Sequence, residues 1–169
     1  MPFYKWSESM SVGVSLLDED NKHIIFLINK LFQTSQHGTN SDIVGETFDN
    51  LIACFEFHFS REEKIMEACG YPFTRAHQDE HVIIIEYLYQ SRSRWMCEGD
   101  RADRNALLHY LRSWLNHHIL ILDMGYVYFV RNNPAADKIA HSFGSWTEKE
   151  LEDGHRLPTT VGEAGIDAF

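Results

Sequence analysis

The sequence predicts an all-α protein, an antiparallel up-down four-helix bundle with an N-terminal arm and a C-terminal helical extension. Two observations carry this. Four long segments repeat apolar residues at helical spacing, and each ends in a Gly or Asn-Pro break. No segment shows the strict alternation of a half-buried strand. Amphipathic helices joined by short loops pack antiparallel to their sequence neighbours.

Residues 1–16 read as an irregular arm anchored by Trp6. The first helix spans about 18–36, with Leu17, Ile24, Ile28 and Leu31 on one stripe and Gly38 as a stop. The second spans about 42–69. Its inward stripe is Leu51, Phe55, His58, Glu62, Ile65 and Cys69, and Gly70-Tyr71-Pro72 ends it. The third spans about 73–97, with His77, His81, Ile84, Leu88 and Trp95 inward and a break at Glu98-Gly99-Asp100. The fourth spans about 103–131, with Leu107, Leu111, Trp114, His118 and Leu122 inward, closed by Asn132-Asn133-Pro134. These segments make one domain over 1–131. Residues 132–169 are more polar and read as an extension or linker: one or two short helices, then a flexible tail.

Composition narrows the function. The chain has 169 residues, enough for one compact core. Its formal net charge of −10 excludes nucleic acid and anionic membranes as partners, since both need a basic face. The apolar runs are short and interrupted by charge, so no transmembrane helix is expected. The N-terminus lacks the pattern of a secretory signal. The three cysteines are odd in number and without CxxC spacing, which predicts a reducing cytoplasm rather than a disulfide framework.

Three segments place metal-ligating side chains about one helical turn apart: His58 with Glu62, His77 with His81, and His118 with Asp123. The first two pairs have i, i+4 spacing and share a helix face. Imidazole and carboxylate together suit iron, manganese or zinc, and carboxylates inside a bundle can bridge two metals. Asp123 is five residues from His118, about 140° off that face on a regular helix. It reaches the others only through a locally widened π turn. Phe55, Phe59, Trp114, Ile119 and Leu122 are expected to wall the pocket. Cys54 reads as a small buried hydrophobe and Glu63 as a solvated or supporting carboxylate. His23, His37, His109, His117 and His141 are expected to face solvent.

With these motifs in their order, the chain resembles the hemerythrin family in its bacterial form, the non-haem di-iron oxygen-binding bundles. The matching segments are Trp6 with Ser11-Val12-Gly13-Val14, Leu17-Asp18-Glu19 leading to Ile28-Asn29, and His58-Phe59-Ser60-Arg61-Glu62-Glu63-Lys64-Ile65-Met66. They continue with Gly70-Tyr71-Pro72, His77-Gln78-Asp79-Glu80-His81, and Trp114-Leu115-Asn116-His117-His118-Ile119 followed by Asp123. The likeness covers roughly residues 3–131. It implies two non-haem Fe ions with a solvent-derived oxo or hydroxo bridge. His77, His81 and His118 would hold one iron, His58 the other, and Glu62 and Asp123 would bridge them.

One departure stands out. The family carries a further ligand histidine eight residues before the asparagine that is Asn29 here, and that position is Asn21. His23 lies two residues on, about 200° around the axis, off the Leu17, Ile24, Ile28 stripe. Either the Asn21 amide or water would fill the gap, leaving the second iron more exposed and labile. The resemblance and this gap together imply a binding domain that responds to O2, another small diatomic or peroxide ligand, or redox state. Such a domain is not itself an enzyme; its output would lie on a fused or partner signalling domain, and an oligomer is left open. The alternatives are a di-iron oxidase or peroxidase, a nitric oxide scavenger, or an iron storage or delivery protein.

Overall fold

A computed structural model describes residues 1–36, 41–99, 102–144 and 146 of the chain. After a 3-10 turn at Glu8–Met10 come α1 (Ser15–Gln36), α2 (Ser41–Ala68), α3 (Thr74–Glu98) and α4 (Arg104–His117). A π turn (His118–Leu122) joins α4 to α5 (Asp123–Val130), and α6 (Pro134–Ser142) follows. No strand occurs among the described residues. The bundle is thus α1, α2, α3 and the continuous α4–π–α5 rod, as the periodicity predicts. His37 and the expected tail beyond 146 lie outside the described residues.

Local chemistry sets the element ends. Gly70 takes φ +72, a left-handed conformation that costs glycine little. With it, the Tyr71 N–H reaches the Met66 carbonyl and the Gly70 N–H the Glu67 carbonyl, closing α2 in a Schellman motif. The Asp103 carboxylate caps α4 by accepting from the Ala106 N–H at 3.0 Å. Asn133 caps α6 in the same way through the Ala135 N–H, with Pro134 in the first turn.

α2 is the hub, packed against α1, α3 and α6. The apolar core divides into two clusters. One gathers Ile24, Ile28, Leu51, Phe55, Ile84, Leu88, Trp95 and Leu111 with their neighbours. The other gathers Val12, Val14, Leu17, Ile65, Met66, Tyr126 and Val130. Each such side chain contributes about 1.5–3 kcal/mol on burial. On α2 the two clusters are separated by His58 and Glu62, and on the last rod by His118 and Asp123. The polar residues therefore sit in a band between two greasy layers.

Three expectations need correction. The arm is held mainly by Tyr4, not Trp6. Tyr4 is buried, exchanges backbone bonds of 2.9 Å with the Asn29 amide, and donates its hydroxyl to Asn116 Oδ1 at 2.7 Å. Trp6 is half-buried under the Lys22 ammonium, 5.0 Å from its ring centre. Cys69 lies past the end of α2 and is only half-buried. His23 is not solvent-facing: it is half-buried, with its ring centre 6.3 Å from that of Trp146. His109, His117 and His141 are exposed as expected. Helix α6 docks on α2, burying Ala136 and Ala140 in the second cluster, so this part of the extension packs onto the bundle.

Candidate metal centre

His58 and Glu62 on α2 and His77 and His81 on α3 are all buried, each pair one turn apart on the inward face. The third pair depends on the π turn. There the Asp123 N–H bonds to the His118 carbonyl, five residues back. The extra residue rotates Asp123 onto the face that His118 occupies. Leu122, which a regular helix would have placed there, is half-buried rather than part of the pocket wall.

Glu62, His77, His81 and His118 each place a ligand atom within 4.8 Å of the others. Glu62 Oε2 lies 2.9 Å from His81 Nε2, 3.4 Å from His77 Nε2 and 3.9 Å from His118 Nε2. Asp123 Oδ1 lies 3.2 Å from His118 Nε2 and 3.5 Å from His77 Nε2. His58 stands outside the group of four, with its Nδ1 3.5 Å from Asp20 Oδ2.

These atoms converge without the angles of hydrogen bonds. Nε2 of His58, His77, His81 and His118, Glu62 Oε2 and both Asp123 oxygens are buried with no hydrogen-bond partner. One orphaned buried polar group costs about 1–3 kcal/mol, so a cluster of them needs a ligand to satisfy it. Imidazole nitrogens and carboxylate oxygens fit iron, manganese or zinc. The donor set therefore suits the metal that the motifs imply.

The surroundings fix the rings. Phe59 stacks on His81 with centres 3.7 Å apart and Trp114 on His118 at 4.2 Å. The His81 Nδ1–H donates to Glu63 Oε1 at 2.7 Å, which aims Nε2 inward and makes Glu63 a supporting carboxylate. Three further groups were not evident from sequence. The Tyr126 hydroxyl donates to Glu62 Oε1. Asp20 is buried behind His58, and Arg61, with no exposed surface, donates to Asp20 Oδ2 at 2.5 Å. A buried ion pair such as Asp20 with Arg61 leaves no periodic trace in the sequence. Tyr126 had a signal: it lies three residues after Asp123, on the same face once the helix is regular again.

Without metal the two carboxylates diverge. Burial pushes Glu62 up, but the close imidazoles of His118, His77 and His81 outweigh it and hold the carboxyl well below its usual range. Burial, and then the Glu62 charge, hold Asp123 well above its usual value. His118 is pushed down to about 3, chiefly by burial. Burial lowers His81 too, yet the nearby Glu62 carboxylate and the bond to Glu63 leave it raised. An ionised Glu62 beside the neutral His118 imidazole is an environment that favours a bound cation. Asn21, where the family would have a ligand histidine, is buried with its Nδ2 unpartnered.

A helical bundle with histidines and carboxylates from three helices on one interior point is the architecture of a metal-binding bundle. Residues 12–128 match the family model described as the hemerythrin HHE cation binding domain, and the chain belongs to that family. It is 31% identical over 147 residues to a bacteriohemerythrin of Pseudomonas paraeruginosa, covering 87% of this chain and 94% of that protein. A bacteriohemerythrin of Stenotrophomonas maltophilia is 29% identical over 152 residues, covering 90% and 97%. Among solved structures, wild-type hemerythrin aligns with a TM-score of 0.69 at 26% identity, covering 76% of this chain and 98% of that one. No helix among the described residues is long and apolar enough to cross a membrane.

Proposed function

We propose that the chain is a non-haem di-iron domain that binds O2 or a similarly small diatomic or peroxide ligand and serves as an oxygen or redox sensor. The observation that carries this is the set of orphaned buried ligand atoms on His58, Glu62, His77, His81, His118 and Asp123. In this reading His77, His81 and His118 hold one iron and His58 the other. Glu62 and Asp123 span the pair, and a solvent-derived bridge completes it. The irons supply electrons and an open position for the small ligand.

The protein's own residues set how that position behaves. Phe55, Phe59 and Ile119 are buried around the rings and exclude water. Glu63 and the stacked aromatics fix the three-histidine side. The His58 side is poorer. Asn21 offers at most a weak amide oxygen where an imidazole would be a strong donor, so the second iron is more open and labile. A site of this kind responds to a ligand rather than storing it, which makes the chain a binding module rather than an enzyme. Its output then lies with residues 132–169 or with whatever domain or partner they meet. The three cysteines are free, which suits the reducing cytoplasm.

Anaerobic iron loading followed by titration with air tests this. Two irons per chain, near-ultraviolet bands of a coupled ferric pair and rapid oxidation in air are expected. One iron per chain, or stoichiometric zinc, overturns the two-metal reading. A coloured oxygen complex lasting hours in air overturns the sensor. Sustained turnover of peroxide or nitric oxide would show an enzyme instead.

A further inference from the structure

The sequence after α6 turns back over the bundle at one point. Phe143 packs edge-on against Phe57, with ring centres 6.1 Å apart. Trp146 packs on the same Phe57 at 5.2 Å and on His23 at 6.3 Å. Between them Gly144 has φ +76 and turns its carbonyl inward to accept from Arg61 Nη2. Arg61 is the largest fully buried side chain among the described residues. Its other arm, Nη1, donates to the Leu16 carbonyl at 3.2 Å and to Asp20 Oδ2 at 2.5 Å. The same Asp20 oxygen faces His58 Nδ1 at 3.5 Å.

A single chain of contacts thus runs from the backbone of 144 through Arg61 and Asp20 to the one imidazole assigned to the second iron. The planar guanidinium makes this a two-ended clamp: its fork geometry fixes both ends at once, which an ammonium cannot do. Two of the other three histidines have separate supports. Glu63 holds His81, and Trp114 stacks on His118. The clamp therefore addresses one side of the site. That side already lacks a histidine, so His58 carries more of the metal's hold there than its counterparts do.

We propose that Phe143, Gly144 and Trp146 form a latch whose engagement with Arg61 positions His58, through Asp20, for the second metal. Metal retention on the His58 side and docking of the C-terminal segment are then linked. The inference rests on the two-metal reading above. By reciprocity, metal on that side tightens the latch as much as the latch tightens the metal. This gives the extension a physical input from the site: loss of the labile metal releases Phe143, Gly144 and Trp146 from the bundle.

Three full-length variants test the link by chelator competition, with Fe(II) under anaerobic conditions. F143A/W146A together weakens the latch without entering the buried ion pair. Gly144→Val strains the left-handed backbone at a place where a Cβ meets no neighbour. Arg61→Lys keeps a charge on Asp20 and loses the second arm. Each is expected to weaken one of the two metal equivalents by about tenfold or more, as loss of a ligand's supporting partner does. The other equivalent should be unchanged. In the unsubstituted protein, amide exchange at Phe143, Gly144 and Trp146 should slow when the second equivalent binds and not when the first does. Equal weakening of both equivalents, both unchanged, or exchange indifferent to the second equivalent would each overturn the latch. Failure of the unsubstituted protein to take up a second equivalent would instead remove the two-metal reading, and the latch with it.

Discussion

Removing the Tyr126 hydroxyl isolates the charge on Glu62. The ring is fully buried, with its centre 6.1 Å from that of Tyr71 and 5.7 Å from that of His77. Phenylalanine fills that space, so no large cavity opens. What is lost is the bond to Glu62 Oε1, an acceptor that is fully buried and held ionised. A hydrogen bond to a charged group is worth about 1.5–3 kcal/mol. Tyr126→Phe should therefore destabilise the metal-free protein by about that much, or about 3–12 °C in Tm for a chain of this size. With metal bound, the cation shares the Glu62 charge and the loss should shrink. The pH dependence has a fixed sign. Burial, then the Asp123 and Glu62 charges, hold the Tyr126 phenol well above 10. A group with a raised pKa in the fold stabilises it fully below its unfolded value, and that stability is lost as pH rises beyond. The metal-free protein should thus weaken above about pH 10, with a shallower slope in the phenylalanine variant. Urea unfolding with and without metal, across pH, measures all of this. A loss under about 0.5 kcal/mol in the metal-free protein, or equal losses with and without metal, would refute the argument, because the bond would then not be charge-assisted.

Other expectations are simpler. Asn21→His should tighten the weaker metal equivalent on the order of tenfold and slow oxidation in air, read by chelator competition and optical spectra. Glu63→Gln should cost about tenfold in metal affinity at the three-histidine side, because a neutral amide aims His81 less firmly than the carboxylate now 2.7 Å away. A thiol reagent should label exposed Cys97 at once and half-buried Cys69 more slowly. Cys54 should react only after unfolding, since burial, then the Asp20 charge, pushes its thiol well above 9.0 against the opposing Arg61 charge.

Periodicity made the apolar faces legible. The stripe His77, His81, Ile84, Leu88 and Trp95 read from α3 is the buried set of that helix. The same period named His58 and Glu62, because i, i+4 ligands obey the rule that apolar residues obey. It failed where the backbone leaves that rule. At the π turn it chose Leu122, while the structure buries Asp123. It failed again where the signal is tertiary. Asp20 and Arg61 are 41 residues apart, and only folding shows that each charge is the other's partner. Helix α6 was hard to place because Ala136 and Ala140 are weakly apolar; their small size is what lets the helix approach α2 closely.

The π turn also changes how the last helix can vary. It inserts one residue into an otherwise regular frame, so the inward positions 107, 111, 114 and 118 continue as 123, 126 and 130 rather than as 122, 125 and 129. A saturation scan of this helix should show its intolerant positions slipping by one between 118 and 123. A regular rod threaded through the same residues would show no such slip. Relatives aligned by helical period alone would be misread from that point onward, with the position of half-buried Leu122 compared against a ligand.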